Sequence, residues 1–301
     1  MDTHAPRVDR PPAEAWRPPL PGAPGFEHVV VETPGVRRHV AVIGEGEPVV
    51  LLHGFPQHWW EWHAVAPVLA AHGYRVICPD LRGSGWTGAD DPAIGRDTQS
   101  DDVLVVLDAF GIDRAHVMSH DMGAISAMRL AYGHPERVRA MVQLSVPPAF
   151  MAFTLAVVPA FRHMPKLLMH RPPTSMRYLF GPEYLFRPLG DEALAAYLDV
   201  EQRPEVLEAV RRVYRGMVVP MSVQLARGDF TRMRLRAPTL FAFGRHDRPF
   251  TEEIVRRISR HHERCADLVE LAFVEDASHF VVDDAPDAVA ELALDWFRRA
   301  A

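Results

Sequence analysis

Three residues stand where a covalent hydrolysis could be run: Asp121, Asp247 and His279. The run Val117-Met118-Ser119-His120-Asp121-Met122-Gly123-Ala124 joins a predicted strand to a predicted helix. It fits the pattern small-x-nucleophile-x-small, with Ser119 and Gly123 as the small residues and Asp121 at the apex. A sharp strand-to-helix turn strains the apex residue, so its neighbours two positions away must be small. The turn also sets the apex side chain at the start of the next helix, where the dipole favours an anion. Ser119 cannot hold the apex, because its own neighbours at that spacing are Val117 and Asp121. A carboxylate there attacks carbon directly and is left as an ester of the substrate. An aspartate can also stand at such a place merely to cap a helix, so its partners decide.

An ester of this kind needs an oxyanion hole and a base for its hydrolysis. His53-Gly54-Phe55-Pro56 follows an apolar strand at 49–52, so the Phe55 N–H can face the site. The Met122 N–H, directly after the apex, is the second donor. Gly244-Arg245-His246-Asp247 leaves a predicted strand at 239–243, where the acid of a triad belongs, and Ala277-Ser278-His279-Phe280 leaves the last predicted strand. His246 stands beside the acid and is poorly set to face it, which favours His279. The strand at 138–144 ends in Leu144-Ser145-Val146 and offers no acid. The chain order nucleophile, acid, histidine is that of the α/β-hydrolase fold.

The elements that must position these residues are legible as alternation. Strands are predicted at 26–32, 38–43, 48–53, 74–78, 115–119, 138–144, 239–243 and 268–274. Helices are predicted at 59–71, 100–110, 122–132, from about 251, and at 286–299. Such alternation means a mostly parallel sheet flanked by helices. The rhythm breaks between 149 and 230, where helical patterns (192–198, 205–217) and proline-rich joints appear without a convincing strand. The expected architecture is therefore an α/β core, 26–148 and 231–301, with an inserted all-helical cap at 149–230. The first 25 residues hold seven prolines and are expected to form an extended or mobile arm outside the core.

At 301 residues and 33.8 kDa, the chain can bury one large core with room for such an insertion. The net charge of −6 and scattered basic residues argue against nucleic acid or an anionic membrane as partner. The two cysteines, Cys78 and Cys265, do not make a disulfide framework, and no Cys/His cluster has metal-ligand spacing. No signal-peptide core and no run long enough for a membrane span is seen, so a cytoplasmic location is expected. The oligomeric state is left open, a homodimer included.

The chain resembles the epoxide hydrolase and haloalkane dehalogenase branch of the α/β-hydrolases, over about 26–148 and 231–300. His53-Gly54-Phe55-Pro56-Gln57-His58-Trp59-Trp60-Glu61-Trp62 is similar to the epoxide hydrolase pattern HGFP followed by W-x-x-W. Asp80-Leu81-Arg82-Gly83-Ser84-Gly85 and Ser119-His120-Asp121-Met122-Gly123 match two further motifs of the branch. The resemblance implies one or two cap tyrosines as proton donors to an opening epoxide. Of Tyr178, Tyr184, Tyr197 and Tyr214, it points to Tyr214 in a Tyr-Arg pair and to Tyr178. It also assigns His53, Trp59 and Trp60 to the substrate-binding wall, and it calls for no cofactor.

Halide-releasing relatives carry a tryptophan right after the nucleophile and an asparagine or second tryptophan beside it. Here those positions are Met122 and Phe55, so a halide cradle is poorly supplied. The arginines that fluoroacetate-type relatives carry after the nucleophile are replaced by Met122 and Ala124-Ile125. Trp59, Trp60, Phe55, Phe150, Phe153, Phe161 and Met164 suggest a small apolar or aryl epoxide as substrate, with water as co-substrate. The rivals are a haloalkane dehalogenase and a non-catalytic ligand-binding protein on the same scaffold.

Overall fold

Valine-rich runs dominate the first half of the chain, and their branched side chains suit a pleated surface packed on both sides. In the computed structural model, which describes residues 5–151 and 154–300, they form a ten-stranded sheet. The strands are β1 (Arg7–Asp9), β2 (Glu27–Thr33), β3 (Val36–Ile43), β4 (Glu47–Leu52), β5 (Tyr74–Pro79), β6 (Gly88–Ala89), β7 (Ala115–His120), β8 (Val138–Leu144), β9 (Thr239–Gly244) and β10 (Val269–Val274). Their order is β1-β2-β3-β5-β4-β7-β8-β9-β10, with β6 paired to β3. From β5 to β10 every pair is parallel, while β1, β2, β3 and β6 make an antiparallel edge.

The helices are α1 (Val65–Ala71), α2 (Thr98–Ala109), α3 (Asp121–Gly133), α4 (Met164–Leu168), α5 (Asp191–Leu198), α6 (Pro204–Val213), α7 (Val219–Arg227), α8 (Glu252–Ile258), α9 (Val281–Asp284) and α10 (Pro286–Ala300). Two apolar cores lie on opposite faces of the sheet. Val50 and Leu52 of β4 join α2, α3 and α8 on one face; Val49 and Leu51 join α1 and α10 on the other. Alternate side chains of one apolar run thus serve two cores, as a central parallel strand requires.

Between β8 and β9 the chain makes a long helical excursion, with no strand among its described residues, then returns beside β8 in parallel register. α6 and α7 are parts of one helix, widened to a π-turn over Tyr214–Val218. Pro220 has no N–H to give the Gly216 carbonyl, which removes one ordinary helical bond there. Gly216 itself is required by close approach: a Cβ would stand 1.7 Å from the Ile94 carbonyl oxygen. Among the described residues, no helix is long and apolar enough to cross a membrane.

The start of the chain departs from expectation. Among its described residues, 5–25, it is largely extended apart from a 3-10 turn at Ala13–Ala15, but it is anchored to the core. β1 pairs with β2, Trp16 is only 7% exposed, and the Trp86 and Trp60 indoles donate to the carbonyls of Pro18 (2.8 Å) and Gly22 (3.1 Å). Proline content concealed this, because a segment without periodicity can still be held by side chains from elsewhere. Trp16→Ala should cost about 3 kcal/mol in chemical denaturation, the scale of a buried aromatic truncation. An unattached arm would lose nothing.

Candidate active site

β7 runs extended through His120, and the chain then turns in one residue: Asp121 has φ of 42°. Such a conformation costs a non-glycine residue about 1–3 kcal/mol and persists only when packing enforces it. The enforcement is visible two residues on. A Cβ on Gly123 would stand 2.3 Å from the Leu52 carbonyl oxygen and 2.7 Å from that of His53. Helix α3 is therefore pressed against the end of β4, and the loop leaving β4 passes beside the Asp121 carboxylate.

Both carboxylate oxygens are engaged. Oδ2 accepts from the Phe55 N–H at 3.1 Å, and Oδ1 lies 3.3 Å from Nε2 of His279. Nδ1 of His279 lies 3.0 Å from Oδ2 of Asp247, which is fully buried after β9. Met122 is in the first turn of α3, where amides have no intrahelical partner. The loop carrying His279 is fixed through its carbonyl, which accepts from Ser145 Oγ (2.6 Å) and His120 Nε2 (2.9 Å).

These contacts set the charges. Burial alone would strip the His279 proton, but Asp247 and Asp121 outweigh it and raise its pKa to about 10. Burial alone would protonate Asp121, but the His279 hydrogen bond and charge, His120 and the Phe55 amide hold its carboxyl below the ordinary value. The resting pair is thus an Asp121 carboxylate and a His279 imidazolium.

Asp121 and His279 lie in the wall of a cavity of ≈ 230 Å³ whose remaining wall is mainly apolar, including Ile125, Met128, Val218, Met221 and Phe250. Phe55, Met122, Phe161 and Met164 also line it; Phe150 packs on Phe241 instead, and Phe153 lies outside the described residues. Two phenols share this cavity with Asp121: Tyr214 on the π-turn, whose ring is 5.4 Å from that of Phe55, and Tyr184, whose ring is 5.5 Å from that of His279. Burial and then the Asp121 charge raise both phenol pKa values.

The second tyrosine expected from sequence, Tyr178, is not in the cavity wall. The 3-10 turn Arg177–Leu179 sends Leu179 into the cavity and leaves the Tyr178 ring under the Lys166 ammonium, 3.1 Å from the ring centroid. Tyr184 stands in the wall instead, because its carbonyl accepts from the Phe280 N–H (2.8 Å), tying it to the His279 loop. This segment has no periodicity to set its register, and only a contact across the chain selects the residue.

His53, Trp59 and Trp60 also fail to line the cavity. His53 donates from Nδ1 to the Gly54 carbonyl (2.7 Å) and accepts from the Leu81 N–H (2.9 Å), joining two loops. The Trp59 amide donates to Asp80 at 2.8 Å, and its ring packs on Phe26 and His28. Trp60 stacks on His63 and reaches Gly22. Their tight turn directs both indoles toward the antiparallel edge of the sheet. His246 stacks on Phe186, away from Asp121.

A family model described as the alpha/beta hydrolase fold matches residues 47–286, which include Asp121, Asp247 and His279. The chain belongs to the alpha/beta hydrolase fold family. A solved Pseudomonas aeruginosa structure, provisionally named an epoxide hydrolase, is 32% identical to this alpha/beta hydrolase, with a TM-score of 0.73 over 92% of this chain and 98% of that one. A soluble epoxide hydrolase of Corynebacterium sp. strain C12 is 28% identical over 290 residues, 87% of this chain and 94% of its own length. Epoxide hydrolase 3 of Siraitia grosvenorii is 40% identical over 125 residues, 40% of this chain. The match spans 39% of the length of that relative.

The ion pair has a signature. His279 should titrate near pH 10 in nuclear magnetic resonance spectra, and Asp121→Asn should bring that value toward the ordinary 6.5. The sign of the linkage follows: a raised pKa in the folded state stabilises fully below pH 6.5 and is lost as pH rises through about 10. A midpoint unmoved by Asp121→Asn would contradict the pairing.

Proposed function

We propose that this alpha/beta hydrolase opens epoxides to vicinal diols through an aspartyl ester. Asp121 attacks a ring carbon, the carbon–oxygen bond of the epoxide breaks, and a proton from Tyr184 or Tyr214 neutralises the alkoxide. Esterification removes the Asp121 charge and with it one of the two carboxylates that hold the imidazolium proton. That proton can then return the tyrosine to its neutral form, leaving His279 as a free base. His279, oriented by Asp247, takes a proton from water, and the hydroxide adds to the ester carbonyl. The amides of Phe55 and Met122 stabilise the oxyanion. Collapse breaks the bond to the alkyl oxygen, and His279 gives its proton to the departing alkoxide to complete the diol. The proton left on the new Asp121 carboxyl then passes to His279, which restores the ion pair with one carboxylate oxygen from water.

The observation that carries this proposal is the pair of phenols, Tyr184 and Tyr214, facing the same cavity as Asp121. An apolar cavity of ≈ 230 Å³ suits a small apolar or aryl epoxide. Phe55 and Met122 offer side chains without N–H donors beside the carboxylate, which disfavours a leaving halide.

Replacing the base should trap the ester. His279→Gln protein incubated with styrene oxide should gain the mass of one substrate molecule, and Asp121→Asn should gain none. Absence of the adduct over a varied epoxide panel would overturn the scheme. Tyr184→Phe and Tyr214→Phe should each lower the rate of ester formation by about 10²-fold, the scale of a general acid. Tyr178→Phe should leave it within about twofold; equal losses at Tyr178 and Tyr184 would refute the assignment.

A further inference from the structure

Behind the loop that carries Phe55 lies a buried pair to which the proposed scheme gives no role. Glu61, in the 3-10 turn Trp59–Trp62, is 2% exposed, and His120, the last residue of β7, is 0% exposed. Oε2 of Glu61 accepts from the Gly54 N–H at 2.8 Å, and Oε1 lies 2.5 Å from Nδ1 of His120. The other ring nitrogen, Nε2, lies 2.9 Å from the His279 carbonyl oxygen.

A carbonyl oxygen only accepts. Glu61 receives an amide N–H on one oxygen and, as a carboxylate, only accepts on the other. With an acceptor on each side, the ring of His120 has to carry a proton on both nitrogens. The charge is paired where it is buried, as a buried ion must be.

One carboxylate therefore reaches both halves of the machinery. Through Gly54 it holds the peptide that precedes Phe55, whose N–H touches Asp121. Through His120 it holds the backbone of His279. The fit is close: a Cβ on Gly54 would stand 2.6 Å from Nδ1 of His120. A second carboxyl, Asp283, also faces Glu61; it accepts from the Tyr197 hydroxyl at 2.5 Å and the Gln57 amide at 3.4 Å. Burial, and after it the Glu61 charge, raise the Asp283 pKa above the ordinary carboxyl value.

We propose that Glu61 is a positioning residue for hydrolysis of the ester, holding the Phe55 oxyanion amide and the His279 backbone in register through a doubly protonated His120. The proposal rests on the aspartyl-ester scheme, and a second function for the pair, in folding alone, makes a different forecast. Loss of register penalises the step that needs oxyanion amide and base together more than the attack of Asp121. A merely structural pair would lower the amount of folded protein and leave the ratio of the two steps unchanged.

Three variants separate these outcomes. Glu61→Leu removes both acceptors at similar volume. Glu61→Gln can keep every contact: its oxygen accepts from Gly54, and its NH2 donates to Nδ1 of a His120 protonated only on Nε2. The Glu61→Gln/His120→Phe double variant keeps the Gly54 contact, leaves no buried charge, and cuts the tie to His279, so it tests the proposal even where Glu61→Leu fails to fold.

In rapid-quench mass spectrometry with styrene oxide, Glu61→Leu and the double variant should slow ester hydrolysis by at least about tenfold relative to ester formation. The scale is set by the ~10²–10³-fold cost of one lost oxyanion donor. Ester should accumulate in the steady state in both, while Glu61→Gln should keep the wild-type ratio. Nitrogen-15 spectra should show both nitrogens of His120 protonated in the wild type and one in Glu61→Gln. An unchanged ratio in the folded variants, Glu61→Gln as slow as Glu61→Leu, or a singly protonated wild-type His120 would each overturn the proposal. The ester trapped by His279→Gln is the control: its absence would reject the underlying scheme, and its presence makes any of those three results a failure of the Glu61 assignment alone.

Discussion

At the end of β7 the chain must pass from strand to helix in one residue, and it can do so only because Gly123 lets α3 close on the carbonyls of Leu52 and His53. That contact sets the distance between two neighbouring parallel strands' exits, since Leu52 of β4 pairs with Ser119 of β7. With the exits locked, the loop after β4 has to pass over Asp121, and the Phe55 amide arrives at the carboxylate. The positive φ of Asp121 is the local cost of this arrangement, sustained by apolar cores on both faces of the sheet.

Charge follows from the same constraint. The elbow brings three ionisable groups, Asp121, His279 and Asp247, into one hydrogen-bonded chain in a largely water-free place. Burial opposes the charge on both Asp121 and His279; Asp121 keeps its charge because His279 stands beside it, and His279 keeps its own because of Asp247 and Asp121. Such a chain is poised to respond to any reaction that neutralises its exposed end. Were Asp121 esterified, one anion would disappear from beside the imidazolium, and the same side chain could change from cation to base without any movement.

The inserted helices enclose the Asp121 carboxylate in a mainly apolar cavity. They leave the sheet after β8 and re-enter at β9, beside the mouth of the site, and close it into an apolar cavity. Their attachment is specific: Gly216 sits on the Ile94 carbonyl, and the Tyr184 carbonyl receives the Phe280 amide. Gly216 is two residues from Tyr214, and the second contact is made by Tyr184 itself, so the position of the inserted helices and that of the phenols are one variable. The antiparallel edge plays a quieter part, with Trp59, Trp60 and Asp80 bracing the loop that bears Phe55.

Local rules in the chain determined the sheet's alternation, the elbow at Asp121, and the order of Asp121, Asp247 and His279. Strand periodicity, turn chemistry and the need for small residues beside a strained one act over a few positions, and they are legible there. Partnership is different. That Tyr184 rather than Tyr178 stands in the cavity wall with Asp121, that Trp59 and Trp60 brace a loop instead of lining a cavity, and that Trp16 is core rather than arm were decided by contacts between residues far apart in the chain. Glu61 gave no local signal at all, since its meaning lies in reaching Gly54 and His120, seven and fifty-nine positions away. Spacing along a strand or helix is fixed by backbone geometry, but which side chain meets which across the core depends on how all the elements pack at once.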